Sequence, residues 1–365
     1  MADQETGLTS WDHIEGIPDP AENRHLVGHR ATLDLLAARH ASGRMHHAWL
    51  LSGPRGIGKA TLACRFAGHL FRHPDPGRAP AAYVTPGESD VVEGKVAAGG
   101  HLNLLHLRRP WSHENKRWMS VLSVDEVRRT VSFFGNSAAE NVPRVCIVDP
   151  ADDLNPAAAN ALLKMLEEPP PNAVFLVLAH SPKGLLPTIR SRCQKLDIRP
   201  LTGAQVLEAL DHLGESEGLD EADRALIAAL SDGSVRRGIL LVRGEGIELY
   251  RALVRLARDA ARPDWTAIHE LASEIAPVAK NDRYRLFLDL THDYVARRVR
   301  GESEPPDGGR AGEPRPQGAS EGISVLARWV EVWEKTRRSV ELADAYNLDR
   351  KQVILNLFEA MREAA

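Results

Sequence analysis

Residues 52–61 read SGPRGIGKAT. Gly53, Gly58 and Lys59 fill the fixed positions of a phosphate-binding loop, G-x-x-x-x-G-K-[ST], and Gly56 adds a second hinge inside it. The last position, where a hydroxyl would hold magnesium, is Ala60, and a threonine follows one residue late at Thr61. One step along a helix turns a side chain by about 100° onto another face, so Thr61 does not replace that ligand. Upstream, HAWLLSG is a short apolar run into a glycine turn, the pattern of a buried strand. Downstream, KATLACRFAGHLF repeats Leu62, Phe66 and Leu70 at helical spacing. Strand, glycine loop and helix form the context in which the backbone N–H groups of residues 54–59, the helix N-terminus and the Lys59 ammonium cradle phosphates. The alternative, a glycine-rich turn with an incidental lysine, does not account for those flanks.

The same alternation continues. LNLLHL (102–107), RVCIVDP (144–150), AVFLVLAHS (173–181) and a short run after TIRSRC (188–193) read as strands. Between them lie SVDEVRRTVSFFG, with Ser123 and Glu126 spaced as a capping box and Val124, Val127, Val131 and Phe134 on one face, and NPAAANALLKMLEEPPP, stopped by prolines. Another helix is predicted over 29–42, and 72–101 is Pro/Gly-rich and weakly patterned. Near-continuous apolar strands alternating with helices predict an α/β domain, a parallel sheet covered on both faces. After residue 200 the pattern is helical only. The expected organisation is a loose polar tail at 1–22, an α/β domain at 23–200, a small helical lid domain at 201–245 and an all-α domain at 246–365. Residues 301–322 read as a disordered loop, with little to bury.

Asp149 ends a strand, where a carboxylate can hold magnesium through water. The next residue is Pro150, which does no acid–base chemistry, and Asp152 and Asp153 fit an acidic surface turn. Arg192 precedes the last strand and could reach a neighbour's γ-phosphate or sit in a surface ion pair. Arg236, in SDGSVRRG, could approach a nucleotide or face solvent. His101, His106 and His113 match no zinc spacing and read as a polar loop. Trp329 and Trp333 fit a core or an interface better than a base-stacking platform.

A net charge of −4 gives no global basic field for nucleic acid. Three separated cysteines without a C-x-x-C exclude a disulfide framework, and no 18-residue apolar run predicts a membrane span. The opening stretch shows no apolar leader core, so a soluble cytoplasmic protein is expected.

Taken together, GRMHHAWLLSGPRGIGKATLA, VCIVDPADDLNPAAANALLKMLEEPPPNAVFLVLA and LPTIRSRC resemble the AAA+ clamp-loader family of bacterial DNA polymerase III, over roughly residues 25–240. ATP-hydrolysing members carry Thr after the loop lysine and Asp-Glu on the strand; Ala60 and Asp149-Pro150 instead look like the delta-prime, stator type. The resemblance implies an AAA+ module of two domains, then a helical collar (246–365) that assembles with ATPase gamma/tau-type and delta-type subunits. The sliding clamp and primed DNA would be reached through the complex. It implies Gly53, Gly56, Gly58, Lys59, Ala60, Thr61, Asp149 and Arg236 at a nucleotide site for ATP or ADP without hydrolysis, and Arg192 as an arginine finger supplied in trans. Val27-Gly28-His29 matches an adenine-side segment that normally ends in Gln. Relatives carry a four-cysteine zinc module after the loop helix; residues 65–145 contain no cysteine, so no zinc is expected. The competing reading is an active ATPase in which Thr61 or Asp152 restores the site.

Overall fold

The computed structural model describes residues 10–135, 142–258, 260–277, 280–300, 328–335, 338 and 349–364. Two compact units result: residues 1–201 with 233–235, and residues 202–232 with 236–365.

The first unit is built on a five-stranded parallel sheet. Its strands are β1 (Ala48–Ser52), β2 (Leu104–Leu107), β5 (Arg144–Val148), β6 (Ala173–Ala179) and β7 (Gln194–Asp197), in spatial order β2-β5-β6-β1-β7. A separate antiparallel pair joins β3 (Trp111–Ser112) to β4 (Arg117–Trp118). Every residue of β1, β5 and β6 is buried, whereas the edge strands β2 and β7 are half exposed. The unbroken apolar runs are therefore the interior of the sheet, where both faces are covered. Alternate residues feed two cores. Trp49, Leu51, Val174, Leu176 and Leu178 pack with α1 (Arg30–Ala41) and α2 (Lys59–Arg72). Leu50, Phe175 and Val177 pack with α4 (Val124–Gly135), α5 (Pro156–Glu167) and α6 (Pro187–Arg192).

Local chemistry sets the helix ends. The Asn155 side chain accepts from the Ala158 amide at 2.8 Å with Pro156 in the first turn of α5, and prolines 169–171 stop it. On α4, Glu126 pairs with Arg129 at 2.6 Å, and Val131, expected on the buried face, is 62% exposed. The weakly patterned stretch 72–101 contains a helix, α3 (Val91–Ala97), capped by Asp90.

Residues 10–22 are not a loose tail. Ser10 is buried, the Trp11 ring meets Arg55 and Arg109, Asp19 meets Arg108, and the Ala21 carbonyl accepts from Arg65. Low hydrophobicity suggested disorder, but charge and aromatic contacts to distant residues hold the segment. The expected disordered loop at 301–322 lies outside the described residues.

The second unit holds α7 (Gly203–His212), α8 (Glu221–Leu230), all but the first residue of α9 (Val235–Arg243), α10 (Gly246–Arg258), α11 (Trp265–Ile275), α12 (Asn281–Val299), helical residues 328–335 and a closing helix, Arg350–Ala364. Ile247, Tyr250, Val254 and Ala257 form one buried stripe, and Ile268, Ala272 and Ile275 another. The segments expected as a small lid domain (201–245) and an all-α domain (246–365) both fall in this unit, apart from residues 201 and 233–235. Arg251 of α10 pairs with Asp223 of α8 at 2.7 Å. Trp329 is core: it is 2% exposed, against Tyr294 and beneath the Arg298 guanidinium. Among the described residues no helix is long and apolar enough to cross a membrane.

Candidate nucleotide site and the opposite sheet end

The glycine loop leaves the C-terminal end of β1. Gly56 and Gly58 have φ of 80° and 97°, the left-handed region that side chains avoid. A Cβ at Gly53 would collide with the Ile198 carbonyl, so only glycine passes there. The loop delivers the chain into α2 with free backbone N–H groups at its start, which is the cradle expected for phosphate. Lys59 is 4% exposed. Its ammonium donates to the carbonyls of Gly53 (2.6 Å) and Pro54 (2.7 Å) and to His180 Nδ1 (3.1 Å). Three acceptors match its three protons. Burial pushes Lys59 down to about 8, against the pull of Asp149 and Asp152. His29 Nε2 donates to the Ile57 carbonyl at 2.6 Å, so this histidine braces the loop.

The magnesium side is different. Ala60 offers no oxygen, and Thr61 is buried at 8% exposure. Asp149 directly follows β5, and its Oδ2 lies 3.3 Å from His106 Nε2. Arg108 Nε is 3.2 Å from the same ring nitrogen. That nitrogen either donates to the carboxylate or accepts from the guanidinium, so one link of the chain is purely electrostatic. Burial pushes the Asp149 carboxyl up, but the His106 hydrogen bond and the Arg108 charge outweigh it and hold it below the usual range. Asp152 accepts from the backbone amides of His180 (2.6 Å) and Ser181 (2.9 Å). Asp153 takes Arg109 in a two-toothed pair, one bond at 2.6 Å. Thr61 is thus packed in the helix, and Asp152 fixes the end of β6. Lys59 and the three loop glycines lie together at the start of α2, where Ala60 carries no side-chain oxygen.

Arg192 lies elsewhere. Gln194 of β7 pairs with Trp49 in parallel, so Arg192, just ahead of it, stands level with the start of β1. At about 3.3 Å per residue, the five residues of β1 put roughly 15 Å between that level and the glycine loop. The Arg192 guanidinium is 2.6 Å from Glu167 Oε1, in a pair 38% and 40% exposed, beside a cleft lined by His46, His47, Leu166 and Ser191. Arg236 belongs to the second unit, one residue inside α9. Gly53, Gly56, Gly58, Lys59 and Asp149 are thus gathered at one sheet end, and Arg192 is at the other.

Sequence reasoning missed His180, His106 and Arg108. His106 is on β2 rather than in a polar loop, in register with Ile147 of β5, and its ring reaches Asp149 just beyond that strand. His180 directly follows β6, which lies between the loop strand and the Asp149 strand. That neighbour relation is a fact of sheet order and leaves no mark in local spacing. His101 stacks on Phe71, with ring centroids 3.8 Å apart. No group of three His, Cys, Asp or Glu side chains among the described residues stands close enough to hold a metal ion.

Residues 28–202 match the family model described as DNA polymerase III, delta subunit. A DNA polymerase III subunit delta' of Pseudomonas aeruginosa is 38% identical over 209 residues, 57% of this chain and 59% of that protein. A DNA polymerase III subunit gamma/tau of Mycobacterium tuberculosis is 31% identical over 228 residues, 60% of this chain and 36% of that protein. The chain thus spans less than two thirds of the length of either relative. A solved DNA polymerase III gamma subunit-related protein of Thermotoga maritima covers 90% of this chain and 99% of its own, at 15% identity and a TM-score of 0.41, too low to carry weight. The glycine loop, the Asp149 strand end and the Ser191-Arg192-Cys193 stretch all fall inside the segment 28–202, and over that segment the chain is similar to DNA polymerase III subunits of the delta, delta' and gamma/tau kinds.

Proposed function

We propose that this chain is a delta-prime-type stator of a DNA polymerase III clamp loader, one that does not itself hydrolyse ATP and presents Arg192 to the nucleotide site of an adjacent subunit. The observation that carries the reading is the placement of Arg192 at the sheet end away from its own glycine loop, half-exposed at a cleft. An arginine there has no route to its own Lys59 site. Its planar, permanently charged fork suits the γ-phosphoryl oxygens of a nucleotide held by another chain. The missing magnesium oxygen at Ala60 and the proline after Asp149 support the absence of hydrolysis here. Any ATP or ADP would be held by the cradle without turnover. The partners are gamma/tau-type and delta-type subunits, joined through residues 246–365; the sliding clamp and primed DNA follow through the complex.

The test is Arg192→Ala in a reconstituted clamp-loading complex. An arginine finger is worth about 10³–10⁵ in rate at its own site, and one of several sites shows a smaller share of that. DNA-dependent ATP turnover and clamp loading should fall while assembly is unchanged. Wild-type turnover by the Arg192→Ala complex removes the proposal. A truncation after residue 245 should instead abolish co-elution with the other subunits.

A further inference from the structure

Residues 10–22 carry four carboxylates, Asp12, Glu15, Asp19 and Glu22, and one large aromatic side chain, Trp11. The segment engages arginines around the glycine loop. Arg55, between Gly53 and Gly56, has its guanidinium carbon 4.4 Å from the centre of the Trp11 ring and a nitrogen 3.7 Å from Asp12 Oδ2. Arg109, just beyond β2, lies over the same ring at 3.9 Å. Arg108 is 3.3 Å from Asp19 on one side and beside His106 on the other, and His106 reaches Asp149. A continuous chain of contacts therefore runs from the segment into the phosphate loop at Arg55 and, through Arg108 and His106, to the strand-end carboxylate. Arg65 on α2 fixes the segment's far end through the Ala21 carbonyl.

Guanidinium groups bind carboxylate and phosphate oxygens by the same charge-assisted geometry. An aspartate tethered beside an arginine is present at a high effective concentration, so an incoming phosphate must displace it. We propose that residues 11–19 are a strap that competes with polyphosphate for the arginines of this chain's own glycine loop and holds the loop in a closed, self-paired form. Its occupant when open is a nucleoside triphosphate or another linear polyphosphate. The strap also accounts for an acidic, proline-containing segment that is ordered without regular secondary structure. The inference rests on the reading of residues 53–59 as a phosphate site and not on any role of Arg192. Nucleotide affinity of the isolated chain and turnover by a complex are separate readouts.

The experiment is a titration of the full chain with a fluorescent ATP analogue and with inorganic triphosphate, comparing wild type, Trp11→Ala and the double variant Asp12→Asn/Asp19→Asn. If the closed form holds about nine-tenths of the molecules, releasing the strap tightens apparent affinity by about tenfold, because affinity scales with the competent fraction. Both variants should show the gain, and adding Lys59→Ala should cancel it. The double variant keeps Trp11 in place should Trp11→Ala fold poorly. In the wild-type chain, saturating inorganic triphosphate should speed amide hydrogen exchange across residues 10–22. Equal or weaker affinity in the variants, no measurable binding by any of the three proteins, or unchanged exchange in that segment overturns the strap. A purely structural staple would lower the melting temperature and leave affinity unmoved.

Discussion

The two ends of the parallel sheet hold their cations in opposite ways. At the end where β1 enters the glycine loop, Lys59 is buried, its three donors are matched by Gly53, Pro54 and His180, and Arg108 and Arg109 are paired with Asp19 and Asp153; Arg55 there, paired with Asp12, is as exposed as Arg192. At the end where β7 begins, Arg192 meets Glu167 in a pair about two-fifths exposed, and donates at longer range to the Thr188 carbonyl and the Ser191 hydroxyl. Exposed ion pairs contribute about 0–1 kcal/mol, so a neighbouring phosphate can take Arg192 from Glu167 at little cost. Removing one partner from a buried cation costs far more, because the charge is left without water or acceptor. The difference is one of solvent access: the lysine in the recognisable motif is buried among acceptors, and Arg192 stands partly in water.

The comparison breaks most visibly at Arg192. Beyond the alanine variant, Arg192→Lys should recover only a small part of the turnover of the assembled complex, since an ammonium lacks the two-toothed fork. Full recovery would make Arg192 a mere positive charge. Arg190, half-buried on the same short helix, is the control, and Arg190→Ala should lower turnover less.

A second measurement concerns the glycine-loop end. Lys59 is depressed by burial to about 8, so its positive charge is lost as pH rises through that value rather than near the usual lysine value of 10.5. The charged form is the one that attracts phosphate. Inorganic triphosphate affinity, measured by calorimetry, should therefore fall by up to about tenfold between pH 7 and pH 9, following the loss of one proton. Lys59→Met should bind weakly and without that slope. A flat profile in the wild-type chain would mean that Lys59 takes no part in phosphate binding.

A smaller effect is expected from Glu167→Gln. Freeing Arg192 from an exposed pair should change turnover of the complex by no more than a few-fold, in line with about 1 kcal/mol. A large loss would show that Glu167 positions the arginine rather than simply parking it. The smallest effect belongs to the isolated chain: ATP hydrolysis should be at background with or without magnesium, and Lys59→Ala should leave it there. Turnover that disappears in Lys59→Ala would restore the active-ATPase reading.

Much of this was legible in the residues because burial on both faces writes itself into composition. Central strands such as RVCIV and AVFLVLA are apolar at every position, and the glycine loop is marked by positions that no other residue can occupy. The helix Val91–Ala97 was not legible, being seven residues long with a glycine inside it, too short for a periodic signal. The order of residues 10–22 was hidden for a different reason. Trp11 and Asp19 are held by Arg55, Arg108 and Arg109, which lie tens of residues away, and no local window contains both partners.

The sequence by itself determined the α/β class of the first unit and the glycine-loop pattern at 53–59, since each depends on residue type and near-neighbour spacing. Only the tertiary structure decided what the cations do. It set β6 between β1 and β5, which brings His180 to Lys59; it put His106 beside Asp149; and it placed Arg192 at the opposite end of the sheet from Lys59. Strand order and register arise from packing the whole sheet between its two helical layers. Charge pairing falls off within a few ångströms, so which ionic groups meet is fixed only when that packing is complete.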